Sequence, residues 1–222
     1  MMINAIEWWI KPRVVSVVID NNEWMLPNCK KLVNEISENG DNATLCQSFD
    51  KVQEGGVAFF LSCHNLAPKS ILERNHRNIT IHASALPEGR GWSPLTWQIL
   101  NGSNRITVCL FETVERADAG PIIYREYLDF RGDELIDEMR AILGELSIEL
   151  CKRYLAETSP PAGKSQTGKG TYWPRRGPED SALDPNKTIA EQFNLLRTVD
   201  NERYPAFFEL HGRRYYLTIK KA

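Results

Sequence analysis

Runs of β-branched and aromatic residues alternate along the chain with segments of helical periodicity. The continuous apolar run from Arg13 to Asp20 is typical of a strand buried in a parallel sheet. The next segment carries apolar residues at i, i+3, i+4 and i+7, which predicts an amphipathic helix over 26–38. Asn39-Gly40 follows, as expected where a helix ends.

The same pattern continues to residue 157. Further strands are predicted over 42–48, 57–63, 78–82, 105–112 and 124–130. Further helices are predicted over 69–75, over 93–101 with Ser93 as the N-cap, and over 132–156. The β-α-β-β-α-β order of the first half indicates an α/β fold, which we predict to be a Rossmann-like, mostly parallel sheet flanked by helices.

A change in composition divides the chain near residue 158. Residues 158–170, TSPPAGKSQTGKG, are rich in Pro, Gly and Ser and are typical of a mobile connector. We therefore predict a main domain over 1–157 and a small C-terminal region over 171–222. That region is predicted to contain a helix over 187–199 and a β-hairpin over 206–219, which would either complete the sheet or pair two subunits.

Charge and composition narrow the function classes. The 222 residues carry a net charge of −2, so the chain has no overall positive field to hold a nucleic-acid backbone. No apolar run reaches the roughly 20 residues of a membrane span, and the N-terminus does not have the pattern of a signal peptide. Five cysteines without a C-x-x-C pair favour a reducing compartment. We expect a cytoplasmic protein that binds neither nucleic acid nor membrane.

Two residues are candidates for chemistry. His82 ends a predicted strand, at the sheet edge where open α/β folds bind ligands, and Asp118 follows a later strand. A histidine in that place is as consistent with a structural hydrogen bond as with catalysis, and a turn aspartate is more often structural. The chain has no Walker loop, no G-x-S-x-G elbow and no G-x-G-x-x-G. Its four histidines show no metal-ligand spacing, so no metal is expected.

The stretch between these two residues carries a recognisable motif. HASALPEGRGWSP, with DAGPI after a strand, resembles the formyltransferases that use 10-formyltetrahydrofolate. Five residues match the family's motif as they stand: Ser84, Leu86, Pro87, Arg90 and Gly91. The separation of His82 and Asp118 also fits the family's catalytic pair. The resemblance covers about 57–222, including RRGPEDSALD and DNERYPAFF, and implies the family's fold and its folate co-substrate.

One position departs from the motif. The family has Asn two residues before the histidine, where this chain has Thr80, while Asn78 lies two residues further back on the same strand face. Formyl transfer to an amine needs a base and donors for an oxyanion, and no protein nucleophile. The resemblance implies that His82 is the base and that Asp118 orients it. The third group is then the hydroxyl of Thr80 or the amide of Asn78.

The resemblance also implies where the two substrates bind. The folate is expected between the loops at 63–68, 83–90 and 113–120. Its expected contacts are Cys63, Ser84, Leu86, Pro87 and Asp118. The acceptor is expected to meet Asn21, Trp24, Arg90, Gly91 and Trp92.

The kind of acceptor is inferred from the similarity of two segments to one group within the family. HASALPEGRGWSPLTWQIL and DNERYPAFF are most similar to sugar N-formyltransferases of bacterial surface-glycan pathways, particularly the nonulosonic (pseudaminic) acid ones. We therefore expect a nucleotide-linked amino sugar, and the resemblance favours a homodimer. A methionyl-tRNA formyltransferase is disfavoured by the acidic charge and the short region after the connector. A 10-formyltetrahydrofolate hydrolase and a non-catalytic folate- or nucleotide-binding relic stay open as competing hypotheses.

Overall fold

A six-stranded sheet runs through the centre of the computed structural model, which describes residues 7–222. The prediction that the N-terminus is not a signal peptide concerns a segment that includes residues 1–6, which lie outside the described residues. The strands are β1 (Val14–Val18), β2 (Asn42–Cys46), β3 (Gly55–Phe60), β4 (Asn75–His82), β5 (Arg90–Gly91), β6 (Arg105–Glu112), β7 (Ile122–Asp129), β8 (Tyr172–Trp173), β9 (Ala206–Leu210) and β10 (Arg213–Leu217). The α-helices are α1 (Leu26–Glu38), α2 (Lys69–Leu72), α3 (Pro94–Leu100), α4 (Ile136–Ala156) and α5 (Phe193–Thr198). Short 3-10 helices cover Glu7–Trp9, Phe49–Lys51, Pro178–Ser181 and Ala190–Gln192.

The strand order of the central sheet is β2-β1-β3-β4-β6-β7. The strands β1, β2, β3 and β4 are parallel, and β6 runs antiparallel to both of its neighbours. Because β7 is antiparallel to β6, it shares the direction of the first four strands. The predicted mostly parallel α/β sheet is therefore confirmed. No helix within residues 7–222 is long and apolar enough to cross a membrane.

The inner strands are apolar because both of their faces are covered. Val15 and Val17 of β1 belong to a large cluster that includes buried residues of α1 and α4, while Val18 belongs to a smaller cluster that includes Ile71 of α2. Cores of this kind fix the strand register, since a slip of one residue would exchange the two faces. The register in turn sets the level at which each strand ends, and hence where side chains at the carboxyl edge lie.

A buried ion pair joins the start of β1 to the end of the α1–β2 turn. Two hydrogen bonds connect the Arg13 guanidinium to the Asp41 carboxylate, at 2.7 and 3.1 Å, and a third runs from Arg13 to the Leu155 carbonyl. Burial would raise the pKa of Asp41, but the hydrogen bonds from Arg13 outweigh it and hold that pKa below its ordinary value. The pair therefore connects β1, the α1–β2 turn and α4 on the side of the first strand's start.

Some helix ends differ from the prediction. Ser93 precedes α3, but it lies in the left-handed region with φ +49° and its side chain caps nothing. The helix α4 starts at residue 136 rather than 132, because the Glu134 carboxylate accepts the N–H groups of Arg131 and Gly132 and closes a turn there.

The C-terminal helix and hairpin are present, with altered limits. The helix α5 covers only Phe193–Thr198, and Ile189 is 60% exposed because a polar turn with Glu191 precedes the helix. The predicted hairpin is confirmed, since β9 and β10 pair across His211-Gly212, both with positive φ as a tight hairpin turn requires. It forms its own two-stranded sheet, so the expectation that it completes the central sheet is wrong.

The connector lies along the main domain. Lys164 exchanges two backbone hydrogen bonds of 2.8 Å with Ile122 of β7. Just beyond the connector, β8 pairs in parallel with β5, two residues to each strand. The Pro- and Gly-rich composition predicts a mobile connector, and in this structure one isolated bridge at Lys164 joins it to β7. The division at 158–170 stays a prediction, and so does the homodimer.

Candidate active site

His82 ends β4 at the carboxyl edge of the sheet, and its ring is largely buried. Its Nε2 lies 2.8 Å from the Gly89 carbonyl oxygen. A carbonyl only accepts, so Nε2 carries the proton and the lone pair of the neutral ring is on Nδ1. Nδ1 faces Asp118, whose Oδ1 is 3.7 Å away. The ring is therefore held so that Nδ1 is the atom able to take a proton.

Asp118 reaches His82 from the loop between β6 and β7. Its backbone is left-handed, with φ +50°, and its Oδ2 accepts the Gly91 N–H at 2.9 Å. Gly120 secures the return of the loop, since a Cβ there would collide with the Glu112 carbonyl oxygen. The geometry differs from the predicted one, because Gly89 rather than Asp118 orients the imidazole. Asp118 instead lies where it stabilises a cation on Nδ1.

Thr80 and Asn78 lie in different surroundings, although both precede His82 on the same strand. The Thr80 hydroxyl is 2.5 Å from the Thr113 hydroxyl and lines the cavity in front of His82. Asn78 donates its amide to the Leu72 carbonyl at 2.8 Å, at the end of α2. The strand pairs in unbroken register there, so no bulge brings Asn78 forward. Of the two predicted candidates, only Thr80 borders the cavity.

His82, Thr80 and Asp118 open into a cavity of about 530 Å³. That volume is in the range of sites for drug-sized ligands. Its walls come from the segments after β1, β3 and β4, from the β6–β7 loop, from α4 and from the C-terminal region. Four other predicted residues also line it: Trp24, Cys63, Gly91 and Trp92.

Three predicted folate contacts do not line the cavity. Leu86 is completely buried, and its carbonyl accepts the guanidinium of Arg125. The carbonyl of Pro87 accepts the Thr171 N–H, and the hydroxyl of Ser84 donates to a carbonyl within its own loop. The 83–91 loop uses these groups to fold on itself and to bind β7 and the residue that follows the connector. The motif residues at these positions are therefore internal to the loop in this structure.

Two predicted acceptor contacts are also turned away from the cavity. Arg90 is buried, and its guanidinium donates to the side-chain oxygen of Gln166 in the connector at 2.6 Å. The Asn21 amide donates to the Ser62 carbonyl at 2.8 Å. Each side chain joins two chain segments across the edge of the site. Their role in this structure is to hold loops in place.

Cys63 lines the cavity but is a poor nucleophile. Burial raises the pKa of its thiol to about 12, with a further contribution from the nearby Asp20 carboxylate. The thiol therefore stays protonated near neutral pH, and only a thiolate attacks readily. All five cysteines are unpaired. No group of three or more metal-ligating side chains is found among the described residues.

A polar cluster at the cavity wall was not predicted. The Glu23 carboxylate lies 3.1 Å from His64 Nε2 and 2.5 Å from the Arg203 guanidinium. This cluster ties the turn after β1 and the loop after β3 to the C-terminal region. No pattern in the sequence indicated that Glu23 has a partner as far along the chain as Arg203.

Trp173 of β8 closes the site from the C-terminal side. Gly89 and Gly91 have φ of +69° and +98°, which favours glycine. A Cβ at Gly91 would lie 2.5 Å from the Trp173 carbonyl oxygen, and one at Gly89 would meet the indole ring. The two glycines of the EGRG segment are therefore required by close packing. Two-residue strands leave no periodicity, so this contact could not be found from the sequence pattern.

The central sheet flanked by helices and the C-terminal hairpin match the formyltransferase fold. The chain is 32% identical over 145 residues to the methionyl-tRNA formyltransferase of Thermodesulfovibrio yellowstonii, covering 63% of this chain and 46% of that protein. It thus spans just under half of the length of this relative. The similarity confirms the resemblance to formyltransferases, although no family model matches the chain.

Solved structures agree with this fold. A methionyl-tRNA formyltransferase from Clostridium thermocellum superposes with a TM-score of 0.76 at 23% identity, covering 90% of this chain and 89% of that one. A sugar N-formyltransferase from a Shewanella species gives 0.71 at 16% identity, with 94% and 98% covered. HypX from Aquifex aeolicus, in complex with tetrahydrofolic acid, gives 0.66 at 16% identity, with 90% and 36% covered.

Proposed function

We propose that this protein transfers the formyl group of 10-formyltetrahydrofolate to the amine of a nucleotide-linked amino sugar, in surface-glycan synthesis of the pseudaminic acid type. The observation that carries the proposal is the placement of His82 Nδ1 at the wall of the cavity, with Asp118 beside it and the Thr80 hydroxyl two residues back. This set supplies a base, a charge that stabilises it and a hydrogen-bond donor. It offers no protein nucleophile, and formyl transfer to an amine needs none.

The reaction consists of one addition and one elimination. The sugar amine attacks the formyl carbon, a new C–N bond forms, and the carbonyl oxygen becomes an oxyanion. His82 Nδ1 takes the amine proton, and Asp118 stabilises the resulting imidazolium. The bond from carbon to N10 then breaks, and the imidazolium returns the proton to N10 of the folate. Tetrahydrofolate and the N-formyl sugar leave.

The Thr80 hydroxyl is proposed to donate to the oxyanion. Thr80 and Thr113 share one hydrogen bond of 2.5 Å, and either oxygen can be the donor. When Thr113 donates, the proton of Thr80 is free to point into the cavity. This arrangement replaces the amide that the family motif has at this position with a hydroxyl supported by a second hydroxyl.

The folate is proposed as the one-carbon donor because a protein that shares the fold binds a folate and because the cavity has groups that suit one. HypX, which shares the fold, has been solved with tetrahydrofolic acid bound. In this chain Cys63 and Asp118 remain as cavity-lining groups on the loops expected to meet the folate. Leu66 and Val114 add exposed apolar surface on the same loops, which suits a flat ring system.

An amino sugar is favoured over tRNA by charge, while the fold comparison is compatible with either acceptor. The net charge of −2 gives no overall attraction for a nucleic-acid backbone. The Shewanella sugar N-formyltransferase aligns over almost all of both chains. The tRNA alternative has its own support, since the relative at 32% identity is a methionyl-tRNA formyltransferase.

The test is to incubate the protein with 10-formyltetrahydrofolate and to follow release of tetrahydrofolate. Release that requires a UDP- or CMP-linked amino sugar supports the proposal, and mass spectrometry of the sugar should show a gain of one formyl group. Release without an acceptor indicates a hydrolase, and release only with methionyl-tRNA indicates the tRNA reaction. No release with any acceptor, together with binding of folate, indicates a non-catalytic relic.

A Thr80→Val variant tests the proposed oxyanion donor. We expect kcat to fall about 10- to 100-fold, which is less than the roughly 100- to 1,000-fold cost of one full oxyanion donor, because Thr80 shares its hydrogen bond with Thr113 and is free to donate only when Thr113 donates to it. The substitution keeps the strand shape and removes only the hydroxyl. Thr107→Val on β6 is the matched control and should leave kcat unchanged, since Thr107 does not border the cavity. An unchanged rate in Thr80→Val would remove Thr80 from the mechanism.

A further inference from the structure

Four arginines line the cavity, and no lysine among the described residues does. The four are Arg140, Arg175, Arg176 and Arg203. Arg140 pairs with Asp200 at 2.8 Å, and Arg203 pairs with a glutamate at 2.5 Å. In the described part of the chain, Arg175 and Arg176 have no carboxylate within 4 Å. These two therefore contribute positive charge to the cavity without being held in a salt bridge.

Backbone pairing places these two arginines close to the proposed catalytic groups. Gly91 of β5 pairs with Trp173 of β8, and Arg175 follows two residues later. The Arg175 guanidinium lies over the ring of Trp92, 4.6 Å from its centroid. Gly91, the residue before Trp92, donates its N–H to Asp118. The segment 174–176 thus lies beside the wall that contains Asp118.

Arg176 has an unused donor. Its Nη2 donates to the Asp180 carbonyl at 2.7 Å, while its Nε is buried and has no hydrogen-bond partner among the described residues. Burial lowers the pKa of Arg176, with Asp180 partly offsetting this. A buried guanidinium N–H without a partner is costly, so an acceptor from a ligand is expected to satisfy it.

We propose that Arg175 and Arg176 bind the diphosphate of the acceptor, so that the sugar attached to it presents its amine to His82. The inference rests on the function proposed above, and it assigns the anionic part of the substrate to the C-terminal region. Guanidinium forks match phosphate oxygens in pairs, which suits arginine better than lysine. Arg140 and Arg203 hold the surrounding wall through their carboxylate partners.

A second source of anion is the glutamate tail of the folate, and the experiment separates the two. Binding of UDP, inorganic pyrophosphate and 5-formyltetrahydrofolate is measured by calorimetry for the full chain. The variants are Arg175→Gln, Arg176→Gln and Arg175→Lys. Arg213→Gln, an exposed arginine of the hairpin, is the control. Thermal unfolding of each variant checks the fold, and Arg175→Gln changes an exposed side chain that should not be needed for folding.

We expect each Gln variant to weaken UDP and pyrophosphate binding about tenfold or more, the usual effect of one charge-assisted hydrogen bond. The affinity for 5-formyltetrahydrofolate should stay unchanged, and Arg175→Lys should lose less than Arg175→Gln. If the wild type binds neither UDP nor pyrophosphate, or if the Gln variants bind them as well as the wild type, the proposal is wrong. If the Gln variants lose affinity only for 5-formyltetrahydrofolate, the proposal is also wrong, because that result would assign the arginines to the glutamate tail of the folate.

These binding measurements do not depend on turnover. If no amino sugar is formylated but UDP binding requires the two arginines, the formyl-transfer function fails while the diphosphate site stands. If formyl transfer occurs and the Gln variants keep the wild-type KM for the sugar nucleotide, the site fails while the function stands.

Discussion

A His82→Ala variant is expected to lose about 100- to 10,000-fold in kcat for formyl transfer, the usual contribution of a general base. The reason is the position of the ring: Nε2 donates to the Gly89 carbonyl, which leaves Nδ1 as the proton acceptor at the cavity wall. Steady-state kinetics with 10-formyltetrahydrofolate and a saturating acceptor measure the effect. The KM for the folate should change far less than kcat.

A His82→Gln variant separates the proton-accepting role of the ring from its structural one. The glutamine amide can still donate to the Gly89 carbonyl, yet it takes no proton near neutral pH, so kcat should fall about as far as in His82→Ala. His211→Asn is a suitable control, because asparagine tolerates the left-handed backbone of the hairpin turn and this turn lies outside the cavity. If His82→Gln retained a kcat near that of the wild type, the imidazole would be structural only.

The sheet was predictable because each inner strand carries its own local signal. The run around Val15 and the spacing of apolar residues in α1 both reflect burial of a continuous face. The helix limits that were wrong depend on single side chains, such as Glu134, which closes a turn before α4. Such a bond competes with helix formation over only a few residues, and periodicity does not detect it.

The candidate site was predictable in part. The motif located His82 and Asp118, and they do meet. It did not separate residues that face the cavity from those that build the loop: Arg90 matches the motif, yet it binds Gln166 of the connector. Contacts of that kind join residues 76 positions apart, and no local pattern records them. The same holds for Arg175, which reaches the cavity because β8 pairs with β5.

Asp118→Asn is expected to lower kcat about 10- to 1,000-fold by removing a charge without changing the shape of the turn. At an effective dielectric constant of about 20, unit charges about 4 Å apart interact by about 4 kcal/mol, which sets the upper end of that range. The asparagine side chain would keep an oxygen for the Gly91 N–H and would tolerate φ +50°. Circular dichroism and thermal unfolding should therefore match the wild type.

Comparing Asp118→Asn with Asp118→Ala separates the effect of the Asp118 charge from the effect of its hydrogen bond and backbone conformation. Alanine removes the charge, the hydrogen bond to Gly91 and the tolerance of the left-handed backbone, so both kcat and thermal stability should fall. Asp129→Asn, an exposed carboxylate on β7, controls for the loss of one negative charge elsewhere. A kcat in Asp118→Asn within about twofold of the wild type, with Asp118→Ala still inactive, would show that Asp118 acts by holding the loop. A loss in Asp118→Asn without loss of stability assigns it to stabilising the His82 cation.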